Sequence, residues 1–167
     1  MPTFFCLVIL FLIWFTYERK KNAPDYSKSK KFWERERSAA YVPRQSTDDI
    51  NFIAIPEETI PKASDDSSEE LKEVISDLES LKNARICDLS AFSNTDLRLK
   101  YGTANFNDLS VADNNYIRLV QWSGKLLTCL DEAGRIRDAE KYIRFLSDNG
   151  ITSGIISRYT SILNPDP

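Results

Sequence analysis

The stretch TFFCLVILFLIWFTY at residues 3–17 carries no charged side chain, and Glu18, Arg19, Lys20 and Lys21 follow it at once. A helix that is apolar all round has no side suited to water, so it must be buried in a large core or in lipid. The whole chain has 167 residues, which leaves room beyond this stretch for one compact domain of roughly 100 residues. The sequence therefore predicts a transmembrane anchor with a basic flank over residues 1–21. At about 1.5 Å per residue, a helix over residues 3–17 is somewhat shorter than the roughly 30 Å hydrocarbon core. Trp14 and Tyr17 suit the headgroup level, and Arg19, Lys20 and Lys21 can extend outward, which would accommodate the mismatch.

A cleaved signal peptide is the competing reading of the same run. Met1 to Phe5 has no Lys or Arg, and Phe15, Thr16, Tyr17 and Glu18 offer no small-residue cleavage site, so a retained anchor is expected. Arg19, Lys20, Lys21, Lys28, Lys30, Lys31, Arg35 and Arg37 all follow the apolar run and none precedes it. Positive charge resists translocation, which predicts a single-pass cell-membrane protein with its N-terminus outside and its C-terminal domain cytoplasmic.

Residues 22–66 read as a juxtamembrane amphipathic helix followed by an extended linker. Asn22, Ala23 and Pro24 form a turn-prone link, because proline interrupts a continuous helix, and a helix is expected from about Ser27 to Tyr41. Its apolar members are Phe32, Trp33, Ala40 and Tyr41. Membrane-surface contact is assigned to Arg19, Lys20, Lys21, Lys28, Lys30, Lys31, Trp33 and Arg35, since such a helix can lie on anionic headgroups. The alternative is that the basic residues only set topology while Phe32 and Trp33 pack onto the domain. Farther on, Ile50, Phe52, Ile53 and Ile55 form a β-prone run closed by Pro56, predicting one short extended strand or an apolar strap.

Residues 67–167 are expected to form a mainly α soluble domain. Ser67 and Glu70 make a capping box ahead of an amphipathic helix with Leu71, Val74, Ile75, Leu78 and Leu81 on one stripe. Ser93 and Asp96 suggest a second capping box, with Gly102 as a left-handed C-cap. From Asp108 onward the spacing predicts three helices separated by Gly134 and Gly150. Ile117, Val120, Leu126, Leu127 and Leu130 line the first, and Ile136, Ala139, Ile143 and Leu146 line the second. Ile155, Ile156, Tyr159, Ile162 and Leu163 read as a third helix covering the hairpin's end, before Pro165 and Pro167.

Residues 120–153 resemble one tetratricopeptide (TPR) repeat. Leu126, Leu127 and Leu130 fall at the inward positions of its first helix, Gly134 at the turn, and Ala139, Ile143 and Leu146 in its second helix. Ser123 stands where tryptophan is usual, Leu127 where glycine or alanine is usual, and Ile151 at the closing proline. With its FWERE helix and SNTDLRLKYG segment, the chain is also similar to an uncharacterised bacterial group of single-pass membrane-anchored proteins. The TPR resemblance implies a groove for peptides or neighbouring helices, hence a membrane-tethered interaction or scaffold module. A structural subunit or self-assembling homo-oligomer is the alternative.

The chain has no histidine and carries a net charge of -3. No general global attraction to nucleic acid follows from that balance. Cys6, Cys87 and Cys129 form no CxxC pair, so neither a zinc site nor a disulfide framework is expected. No P-loop, dinucleotide-binding glycine pattern or nucleophile elbow is present. The expectation is a non-enzyme without catalytic, metal or cofactor residues and without an evident small-molecule substrate. Its expected partners are membrane lipid and either another protein or a second copy.

Overall fold

The computed structural model describes residues 2–21, 26–64, 67–152 and 154–163. Among them lie α1 (Pro2–Lys21), α2 (Tyr26–Ala39), α3 (Glu69–Ser80), α4 (Asn94–Tyr101), α5 (Phe106–Glu132), α6 (Ile136–Asp148) and α7 (Gly154–Leu163), with a 3-10 turn at Thr103–Asn105. The described residues contain no strand. The link at Asn22, Ala23 and Pro24 and the closing Pro165 and Pro167 lie outside them.

The membrane-crossing anchor is corrected: among the described residues, no helix is long and apolar enough to cross a membrane. The physical reason is length. α1 does run to Lys21, but its last turn carries Arg19, Lys20 and Lys21. Its uncharged part from Pro2 to Tyr17 rises only about 24 Å at 1.5 Å per residue, short of about 30 Å of hydrocarbon.

The stripe on α3 is buried through Leu71, Val74, Ile75 and Leu78, and these side chains join Leu119, Leu126, Leu127, Leu130, Tyr142, Leu146 and Ile156 in one large core. The helix starts one residue later than the predicted box, because Ser68 is the N-cap and accepts from the Leu71 amide at 3.2 Å. Ser67 instead accepts from the Ser64 amide at 2.9 Å. The second box forms as expected, with Ser93 and Asp96 satisfying each other's backbone amides.

The long α5 serves two cores. Its C-terminal half enters the large one, and Leu109 and Ala112 join Cys87, Leu89, Leu97 and Tyr101 in a smaller one. Ile117 was expected on the inner stripe but is 46% exposed. Polar side chains of α5 hold the connector that precedes α4: Asp113 accepts from the Leu89 amide at 3.0 Å and Asn115 donates to the Arg85 carbonyl at 3.1 Å. These bonds supply the connector with partners that a sheet would otherwise give.

α5 turns into α6 through a Schellman closure. The Arg135 amide reaches back to the Leu130 carbonyl at 2.8 Å and the Gly134 amide to Asp131 at 2.9 Å, with Gly134 at φ 66°. The left-handed residue is what allows both bonds. α6 ends in the same pair of bonds, Ile151 to Leu146 and Gly150 to Ser147. Inside the hairpin, the Ser123 hydroxyl donates to the Leu119 carbonyl at 2.6 Å and lies 2.9 Å from the Tyr142 hydroxyl. Ser123 and Tyr142 are thus satisfied in a fully buried position, as buried hydroxyls must be.

The β-prone run forms no strand and is laid across both cores as irregular chain. Ile50 and Phe52 pack on the smaller core, while Ile53 and Ile55 join the larger. The Ile53 amide donates to the Ile86 carbonyl at 2.8 Å, which ties the run to the connector before α4. With no second run beside it, no ladder can propagate.

Candidate functional site

Two regions place charged and aromatic side chains at the surface. The first comprises α1 and α2, where all the sequence-assigned contact residues lie. Along α1, Phe4, Phe5, Leu7, Leu10, Phe11 and Trp14 are each more than half exposed, and Arg19, Lys20 and Lys21 occupy the last turn. Cations there also complement the negative end of the helix dipole.

α2 is divided along its length. Its C-terminal half packs on α4: Ala39 is fully buried, Arg35 pairs with Asp96, and Glu36 accepts from the Thr95 hydroxyl. The Thr103 hydroxyl donates to the Ala39 carbonyl at 3.1 Å. Its N-terminal half is exposed. Tyr26 is 77%, Phe32 56% and Trp33 63% exposed, with Phe32 and Trp33 edge to face at 5.5 Å. Phe32 and Trp33 therefore do not pack onto the domain as the alternative reading required. Lys28, Lys30 and Lys31 are exposed on the same half, and Lys30 reaches Glu34 only at 3.9 Å. Of the assigned residues, Arg35 is drawn into the packing of α2 on α4.

The second region is an open cleft of about 530 Å³ between the strap and the α4–α5 corner, lined by Asp49, Phe52, Asp88, Phe92, Lys100 and Tyr116 among others. Asp49 and Lys100 meet at 2.7 Å, and the Tyr101 hydroxyl donates to Asp49 at 3.2 Å. The Lys100 bond holds the Asp49 carboxyl below its ordinary range, and the same bond raises the ammonium. Lys100 also sits over the rings of Tyr101 and Phe92, at 4.9 and 5.3 Å, and Arg85 covers Phe52 at 4.1 Å. The rings of Phe52, Phe92 and Tyr101 in the cleft are thus covered by the chain's own cations. Asp49 and Lys100 are far apart in sequence, and no local pattern signals that they meet.

This pair ties the strap to α4 and has a definite pH window. A carboxyl whose folded value is lowered contributes above its ordinary 3.8 and loses that contribution as pH falls through the folded value. A raised ammonium contributes below its ordinary 10.5 and loses that contribution as pH rises through its folded value. Urea midpoints should therefore fall between pH 6 and pH 3 more steeply for the wild type than for Asp49→Asn. Parallel curves for the two proteins would show the pair to be inert.

Both domain cysteines are buried. Desolvation, followed by the Asp113 carboxylate, pushes Cys87 up to about 11, and desolvation also raises Cys129. Neither is a thiolate at neutral pH, the form that attacks or ligates. Among the described residues, no group of three or more Cys, Asp or Glu is arranged to hold a metal ion. Comparison with protein-family models, with curated proteins and with solved structures gives no match to this chain.

Proposed function

We propose that this chain is an interaction module held at a lipid surface, with α1 inserted into one leaflet and the helical body available to a protein partner. The observation that carries the reading is the exposed, uncharged run of α1 from Phe4 to Tyr17, ending directly in Arg19, Lys20 and Lys21. Water is a poor solvent for such a helix, whereas a depth of about 15 Å, half of the hydrocarbon core, accepts it when it is tilted. The basic turn then meets phosphate headgroups, each cation adding about 1 kcal/mol of attraction. The resemblance of residues 120–153 to one TPR repeat suggests the second half of the reading, because paired helices of that kind present surfaces to peptides and to other helices.

The test uses the full chain with phosphatidylcholine vesicles containing phosphatidylglycerol. Wild type should co-sediment with them. Leu10→Asp, which puts a carboxylate in the middle of the run, should weaken binding by about 3 kcal/mol, roughly a hundredfold. Wild-type protein left in the supernatant, or Leu10→Asp bound as tightly as wild type, would refute lipid attachment through α1.

A further inference from the structure

We infer that the overhanging half of α2 is a second lipid contact, which senses anionic headgroups instead of inserting. The inference rests on the lipid-surface reading and adds to the charge selectivity that the basic last turn of α1 supplies.

Three observations carry it. α2 is fastened to α4 near its C-terminal end, through Arg35, Glu36 and Ala39, and the half bearing Tyr26, Phe32 and Trp33 presents its aromatic rings to solvent. Aromatic side chains with a polar edge sit well at the headgroup level, where one part is apolar and the other wet. The same half carries Lys28, Lys30 and Lys31 and no acidic residue before Glu34, a positive field suited to a negatively charged leaflet. α2 also begins only a few residues beyond the end of α1, so a lipid-held α1 keeps it within reach of the same surface. Glu34, three residues beyond Lys31, and Glu36, five beyond it, interrupt the continuous positive field that a nucleic-acid backbone would use.

The two contacts are chemically distinct, which makes them separable. Apolar insertion by the run from Phe4 to Tyr17 depends little on headgroup charge, while attraction by Lys30 and Lys31, like that of Arg19, Lys20 and Lys21, disappears on a neutral surface and weakens as salt rises. Lys30 and Lys31 are exposed and hold no core contact, so replacing them leaves the fold intact.

Binding of the full-length wild type and of Lys30→Gln/Lys31→Gln is to be measured on pure phosphatidylcholine vesicles and on vesicles with one third phosphatidylglycerol, at 50 and 300 mM salt. The double variant should bind anionic vesicles about thirtyfold more weakly than wild type at low salt. It should bind neutral vesicles equally well. Trp33→Ala should lower affinity for the anionic vesicles with circular dichroism unchanged. An unaltered anionic preference in the double variant would overturn the role of α2 while leaving insertion by α1 standing. Failure of the wild type to bind either vesicle would overturn both.

Discussion

Gly102→Ala is expected to destabilise the body by about 3–5 kcal/mol, the sum of a strained backbone and a forced separation of packed chain. Gly102 has φ 85° and ψ 153°, a region open almost only to glycine. The sequence predicted a left-handed helix cap there, but the extended ψ carries the chain out of α4 in another direction. A methyl group at this position would lie 2.7 Å from the Pro43 carbonyl carbon and 2.9 Å from the Arg44 Cα, and backbone atoms cannot rotate aside. Bonds on both sides hold that close approach in place. The Thr103 amide donates to Val42, the Gln45 amide to Tyr101, and buried Asn105 donates to the carbonyls of Gln45 and Tyr101 at 2.7 and 2.8 Å. Chemical denaturation followed by far-ultraviolet circular dichroism measures the loss. An unfolding free energy within 1 kcal/mol of wild type, roughly the least effect of the backbone strain alone, would show that the approach is not structurally required.

Leu127→Ala should cost about 2–5 kcal/mol, the range for truncating a fully buried leucine. The interest lies in direction. Alanine is a usual residue at the corresponding TPR position, where two helices come close, so a hairpin packed in that manner would tolerate the change or gain from it. Here Leu127 has no solvent exposure and belongs to the core shared by α3, α5, α6 and α7. A cavity with partial collapse is expected, read as a lowered urea midpoint with an unchanged slope. A midpoint equal to or above that of wild type would favour TPR-type packing over the leucine-filled core.

How much of this fold could be read in the sequence depended on how local the deciding interaction was. The α3 stripe, the Ser93–Asp96 box and the turn at Gly134 rest on residues within a few positions of one another, and they are where they were expected. The start of α3 moved by one residue because Ser67 and Ser68 are equally good caps, and only the loop at Ser64 decides between them. The run Ile50–Ile55 has strand-like composition, yet a strand requires a partner, and helices took its apolar side chains instead. The Asp49–Lys100 pair and the clamp between residues 42–45 and 101–105 join segments more than fifty residues apart, so no periodicity announces them. For α1, residue type was clear and length was decisive. The positively charged last turn shortens the apolar part to well below a crossing.

The fastening of α2 to α4 also has a mechanical meaning. If α1 is held in lipid and a partner draws on the body, tension enters through α2 and meets the Arg35–Asp96 and Glu36–Thr95 bonds before Ala39. From there it passes through the Thr103 hydroxyl to the corner at Gly102 and Asn105, a short polar joint that lies outside the large leucine-lined core. Under load the helix should detach from α4 before α3, α5 and α6 separate, so the body can yield at its mounting while its folded interior survives.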